Sequence, residues 1–142
     1  MERRAAKDLD GLIELLESAF EEVQIIQTRA TEALLLLRAQ CRYRNFQIKV
    51  TEIVDSSGRN YSFYVLADNR VVVGFDNSED RRAQALKYGK RNWKAHHKER
   101  VPHQHTYLRA SLLLTAEMSI ADFVKWLQDN FDSYLVQQKF CP

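Results

Sequence analysis

Histidine is missing from the first 95 residues and from the last 37; all four copies, His96, His97, His103 and His105, fall within HHKERVPHQH. Proline and glycine are also scarce. Two prolines and four glycines in 142 residues leave no room for a flexible interdomain linker, so one domain spanning 1–142 is expected. Long apolar runs are absent too. Ala33–Leu37 and Phe63–Ala67 are far short of the ~20 residues that cross a bilayer, so no membrane association is expected. Asp8, Asp10, Glu14 and Glu17 interrupt the stretch where a secretory leader would carry its apolar segment, and a cytoplasmic location is the expectation. The two cysteines, Cys41 and Cys141, lie too far apart in sequence for a metal-type spacing and are read as ordinary thiols. Nor is there a Gly-rich phosphate cradle or a nucleophile-elbow motif.

What is present is unevenly placed. The net charge is only +2, yet Arg81–Arg109 carries nine Lys and Arg against the single acid Glu99, making this stretch +8 and leaving −6 elsewhere. Tyr88, Trp93 and Tyr107 punctuate it. Cations can neutralise phosphates and rings can stack bases, so Arg91, Trp93, Lys94, Lys98, Arg100 and Tyr107 are candidate nucleic-acid contacts. A solvated basic face is the bland reading of the same run.

The periodicities predict an α+β domain. Leu9, Leu12, Ile13, Leu16, Phe20 and Val23 recur at three- and four-residue steps, which predicts a long N-terminal helix over 1–30. Its broad Leu/Ile face is the expected seat of a second subunit, as a homodimer, or of a partner protein. A strand meander over 31–77 follows, with turns at DSSGRN and at Asp68–Asn69; EALLLLRAQCRYR reads equally as strand or helix tail. The basic, His-rich segment covers 78–110, with a helix stopped by Gly89. The closing helix spans 119–136, with Ser119 as its N-cap and Asp122 three residues on. An antiparallel sheet of four to five strands, with the C-terminal helix packed on it, is the expected architecture.

In an extended segment, residues two apart point the same way, so His103 and His105 can face one pocket. Three chemistries fit them. Zinc needs three or four ligands, which H-x-H, a further histidine and Asp76 can supply; the nearby cations oppose a divalent ion, so no metal or other cofactor is expected. Metal-independent RNA cleavage needs a base for the 2′-hydroxyl, an acid for the leaving 5′-oxygen and cations for the extra negative charge. His103, His105 and His97 suit the proton roles, Asp76 can orient a histidine, and Lys94, Lys98 and Arg100 suit the phosphate. The third is noncatalytic nucleic-acid binding or regulation by the same basic surface.

The order of motifs resembles a known family. LLLLRAQCRYRNFQIKVTEIVDSSGRNYSFYVLADNRVVVGFDN, then PHQH and a C-terminal helix, is similar to the TumE-type toxins of type II toxin–antitoxin modules, over about residues 34–131. The shared parts are the aromatic YSFYV strand, the Phe75–Asp76–Asn77 strand end and the His103/His105 pair. The resemblance implies an RNA-cleaving toxin neutralised by a helix-turn-helix antitoxin protein. Two departures stand out: the long basic stretch between Asn77 and His103, and the added N-terminal helix.

Overall fold

The computed structural model describes the backbone of residues 2–140 and the side chains of residues 4–140; Cys141 lies outside the described residues. Helix α1 (Glu2–Ala19) leads into seven strands: β1 (Glu21–Ala30), β2 (Leu35–Tyr43), β3 (Phe46–Asp55), β4 (Gly58–Ala67), β5 (Arg70–Asp76), β6 (His103–His105) and β7 (Leu112–Leu114). Helix α2 (Arg81–Tyr88) lies between β5 and β6, and α3 (Ile120–Gln137) closes the chain. The strands pair in chain order as one antiparallel sheet. No described helix is long and apolar enough to cross a membrane.

Two expectations need correction. The sheet has seven strands, not four to five, because β1, β6 and β7 extend the predicted meander at both edges. The N-terminal helix is also shorter than 1–30. It ends at Ala19, where the amide of Phe20 makes a last bond to the Leu16 carbonyl. Glu22 then takes a left-handed backbone (φ 51°), and Val23, Ile25, Ile26 and Thr28 continue as strand. Phe20 and Val23 keep helical spacing, but β-branched residues favour extended backbone, and β2 offers a partner along most of its length. The ambiguous stretch is strand from Leu35 to Tyr43 although it holds no β-branched residue, because it pairs with β1 on one side and β3 on the other.

Local chemistry forms the remaining elements as the sequence predicts. Asp68 and Asn69 both have positive φ (49° and 62°), as a two-residue hairpin turn requires, and join β4 to β5. Asp80 caps α2 by accepting the amides of Arg82 (2.8 Å) and Ala83 (3.3 Å), and Gly89, at φ 88°, ends it. Ser119 and Asp122 form the reciprocal capping box of α3.

The core lies on one face of the sheet, under α1 and α3. Leu9, Leu16 and Phe20 from the first helix and its end meet Phe123, Leu127 and Phe131 from the last over Ile48, Val50, Phe63 and Phe75. Phe63 stacks on Phe123 with ring centres 5.4 Å apart. The apolar face of α1 is therefore occupied within its own chain. Cys41 belongs to this core, and burial pushes its thiol up to about 11. Glu52 is buried as well. Its carboxylate accepts two bonds from Arg59 (2.6 and 3.0 Å), which also reaches Glu117 (3.1 Å) and the Met118 carbonyl (2.8 Å), tying β3 and β4 to the start of α3.

Asn77 completes the strand end in place of missing backbone partners. Its side-chain oxygen accepts the Tyr61 amide (2.9 Å), and its side-chain nitrogen donates to the Arg59 carbonyl (2.8 Å). Removing it leaves a buried amide and a carbonyl unmet, so Asn77→Ala is expected to lower stability by about 1–3 kcal/mol. Urea denaturation checks this, and an unchanged midpoint contradicts it.

Candidate functional site

The opposite face of the sheet carries the polar residues. Alternation along each strand puts every second side chain there, and the register aligns them into rows across the sheet, two of them mostly polar and the flanking ones bringing Leu36, Ile53 and Leu66. One row reads Gln27, Arg38, Thr51, Ser62, Asp76, His103. The other reads Gln24, Gln40, Lys49, Tyr64, Gly74, His105. Both rows end beside α2, whose N-cap Asp80 approaches His103. Asp76 and the two histidines are thereby gathered into one enclosed cluster, with side chains 5%, 0% and 2% exposed.

Asp76 is the hub. Its Oδ1 accepts the amide (2.9 Å) and hydroxyl (2.6 Å) of Ser78 and lies 3.1 Å from His103 Nε2. Its Oδ2 accepts the Tyr64 hydroxyl (2.5 Å) and lies 3.4 Å from His105 Nε2. His103 Nδ1 donates to the Val101 carbonyl (2.6 Å), so the other nitrogen of that ring is the one turned to the carboxylate. That approach is close but off the direction of the ring nitrogen: Nε2 of His103 makes no aligned hydrogen bond, and neither does Nδ1 of His105. The two rings sit edge to face with centres 4.9 Å apart.

Electrostatics separates the three groups. Burial works to raise the Asp76 carboxyl, but His103, Ser78 and Tyr64 outweigh it and hold it well below the usual carboxylate range. Burial works to lower His103, and Asp76 with the Val101 carbonyl outweighs it, so this ring is held above its ordinary value. His105 is held below, by burial and by the positive charge of His103 and Arg109, against the pull of Asp76. Burial and the neighbouring carboxylate push the Tyr64 phenol up. The guanidinium of Arg109 lies 5.3 Å over the Tyr64 ring, which itself stacks toward His105 (6.3 Å).

Gly74 makes this packing possible. A Cβ there would come within 2.1 Å of the Tyr64 ring, which crosses β5 to reach Asp76 and His105.

Of the residues the sequence singles out, Asp76, His103 and His105 are brought together and the others lie elsewhere. His97 is exposed as the C-cap of the 3-10 turn at Trp93–His96, where its ring meets the Lys94 carbonyl (2.9 Å). His96 stacks flat on Tyr88 (3.5 Å) beside Glu99. Arg91, Lys94, Lys98 and Arg100 are exposed along the same loop, and Trp93 is half-buried under the guanidinium of Arg81 (4.9 Å). Tyr107 packs its ring edge-on against Phe140 (5.4 Å). Gln84 anchors the loop by donating to the carbonyls of His97 (2.9 Å) and Glu99 (3.0 Å).

Tyr64, Ser78, Asp80 and Arg109 are neighbours that spacing along the chain does not reveal, as is the alignment of Arg38 and Lys49 in the rows that lead to the cluster. A glycine inside the dense RVVVGFD strand is the one local sign of a close approach. No protein-family model, no curated protein and no solved structure matches this chain.

Proposed function

We propose that this chain is a toxin-like ribonuclease that lays single-stranded RNA across the sheet face opposite α1 and α3 and cleaves it at the Asp76, His103 and His105 cluster. The observation that carries the reading is the make-up of the two rows. From Gln27 to Ser62 in one, and from Gln24 to Tyr64 in the other, they hold Arg38 and Lys49 among neutral polar side chains with no carboxylate. The first acid along this path is Asp76, and it stands between two histidines. Cations and hydrogen-bonding side chains suit a phosphate backbone.

RNA cleavage through its own 2′-hydroxyl needs a group to take that proton, a group to protonate the 5′-oxygen and a cation for the developing charge. Two imidazoles offer the proton roles by themselves, without a metal, and Arg109, over the Tyr64 ring, is a cation at the edge of the cluster. The similarity to TumE-type toxins supports the same reading and adds a helix-turn-helix antitoxin as the expected partner. One observation favours a second reading, a noncatalytic nucleic-acid-binding module: the His103 and His105 rings are enclosed, so a substrate reaches them only if the cover at α2 and Arg109 shifts.

Labelled single-stranded RNA separates the two. Under the first reading the wild-type protein shortens it and His105→Ala does not; binding with no shortening at all supports the second. For either, Arg38→Ala and Lys49→Ala are expected to weaken binding and to flatten the dependence of log affinity on log salt by about 0.7 per cation removed. Unchanged affinity and slope in the double variant overturn the assignment of this face to RNA.

A further inference from the structure

We infer that Asp76, His103 and His105 hold one divalent transition-metal ion. One ligand atom from each of the three lies within 4.8 Å of the others. Ligands 2.0–2.2 Å from a tetrahedral ion are spaced roughly 3.3–3.6 Å apart. His103 Nε2 stands 3.1 Å from Asp76 Oδ1, and His105 Nε2 stands 3.4 Å from Asp76 Oδ2. Each ring is therefore already at nearly the separation from the Asp76 carboxylate that an ion imposes, each on its own oxygen, and one ligand atom per residue stays within the 4.8 Å span.

Orientation points the same way as distance for His103, whereas His105 Nδ1 is buried without a partner. An imidazole that ligates a metal typically donates its other nitrogen to a carbonyl or carboxylate, which fixes the ring. His103 does this through Nδ1 and the Val101 carbonyl. Its Nε2 is buried and meets no aligned hydrogen-bond partner, although a carboxylate oxygen is close by. Buried polar atoms are rarely left in that state, and an ion between ring and carboxylate satisfies both. Asp76 is braced in turn by Ser78 and Tyr64, as ligating carboxylates commonly are.

A fourth ligand is within reach. Asp80 uses Oδ1 to cap α2, and its Oδ2 is turned to the cluster, 3.9 Å from His103 Nε2. Two imidazoles with one or two carboxylates suit zinc, cobalt, manganese or iron(II) better than magnesium or calcium, which prefer all-oxygen sites. Two carboxylates also balance the charge of such an ion against nearby Arg109. The inference shares its site with the ribonuclease reading and changes who handles the proton there: the rings become ligands, and a metal-bound water, made more acidic by the ion, takes over as the source of base.

The test is ion binding by the full chain after chelator treatment, followed by titration with cobalt(II) and zinc. One equivalent per chain, tetrahedral cobalt bands in visible absorption and a rise in Tm on adding zinc are expected. His105→Gln and Asp76→Asn should weaken binding by at least the roughly 10–100-fold that loss of even an outer-shell partner causes. Far-UV circular dichroism confirms that each variant is folded, and the zinc-induced rise in wild-type Tm is independent of any substitution. His96→Ala, which alters a histidine outside the cluster, should bind as wild type does. Absence of cobalt bands and of a zinc effect on Tm overturns the inference, as does undiminished binding in folded His105→Gln. Zinc bound with no RNA cleavage removes the ribonuclease reading and supports the metal site; cleavage by chelator-treated protein that binds no ion does the reverse.

Discussion

Replacing Gly74 with alanine is expected to dismantle the site through a single methyl group. The added carbon would sit 2.1 Å from Tyr64 Cε1 and 2.4 Å from Cδ1, well inside contact distance. The ring cannot swing away freely, because its hydroxyl is held by Asp76, one side faces His105 and Arg109 lies over it. Overpacking of this kind typically lowers stability by about 1–3 kcal/mol. The larger consequence is positional. Asp76 loses one of its braces, and misplacement on the scale of an ångström can reduce a catalysed rate on the order of 100-fold. Urea denaturation reads the first effect, and RNA cleavage or cobalt absorption reads the second. Wild-type behaviour in both would show that Tyr64 has no part in holding Asp76. Tyr64→Phe, which keeps the ring and loses the bond, separates crowding from bracing.

Asp76→Asn carries the largest expected loss of stability, about 3–5 kcal/mol, the usual result of leaving a buried charge without its partner. The partner here is His103, whose ring stays enclosed with the Val101 carbonyl and the more distant Asp80 carboxylate, 3.9 Å away, to support a positive charge. In ion-free protein the pH profile should change as well. A carboxyl held low in the fold contributes stability that is present above its ordinary value of ~3.9 and is lost as pH falls through the folded value. The amide of the Asp76→Asn variant does not titrate, so this acid limb disappears. His103, held high, contributes stability that is complete below ~6.5 and is lost as pH rises through its folded value. Burial alone would lower that ring, so removing the carboxylate shrinks this limb too. Unfolding free energies of ion-free wild type and variant from about pH 2 to about pH 9 follow the upper part of the acid limb and the histidine limb, and two parallel profiles would contradict the assignment.

The candidate site was legible in part. His103, His105 and Asp76 stand out because imidazoles two residues apart in extended chain share a side, and because a carboxylate closes a dense strand. The remaining histidines, His96 and His97, join them only if the intervening loop folds back, which one dimension does not decide. His97 and His96 fail to join the cluster because α2 and the 3-10 turn after it carry them to the outside, with Gln84 pinning the following loop. The cations show the same limit. Lys94, Lys98 and Arg100 are near the histidines along the chain, yet Arg109 is the cation that reaches Tyr64, and Arg38 and Lys49 arrive from strands far upstream.

The amino-acid sequence by itself determined what is settled within a few residues. The capping box at Ser119, the left-handed turn at Asp68–Asn69, the stop at Gly89 and the apolar stripe of α3 all follow from local backbone preference and side-chain period. Tertiary structure alone decided the end of α1 at Ala19, where a strand partner outweighed helical spacing, and the register that sets Gly74 opposite His105 and Asp76 opposite His103. Register depends on pairing between distant segments, and a slip of one residue would send every side chain of a strand to the other face, so the composition of the cluster is a property of the assembled sheet.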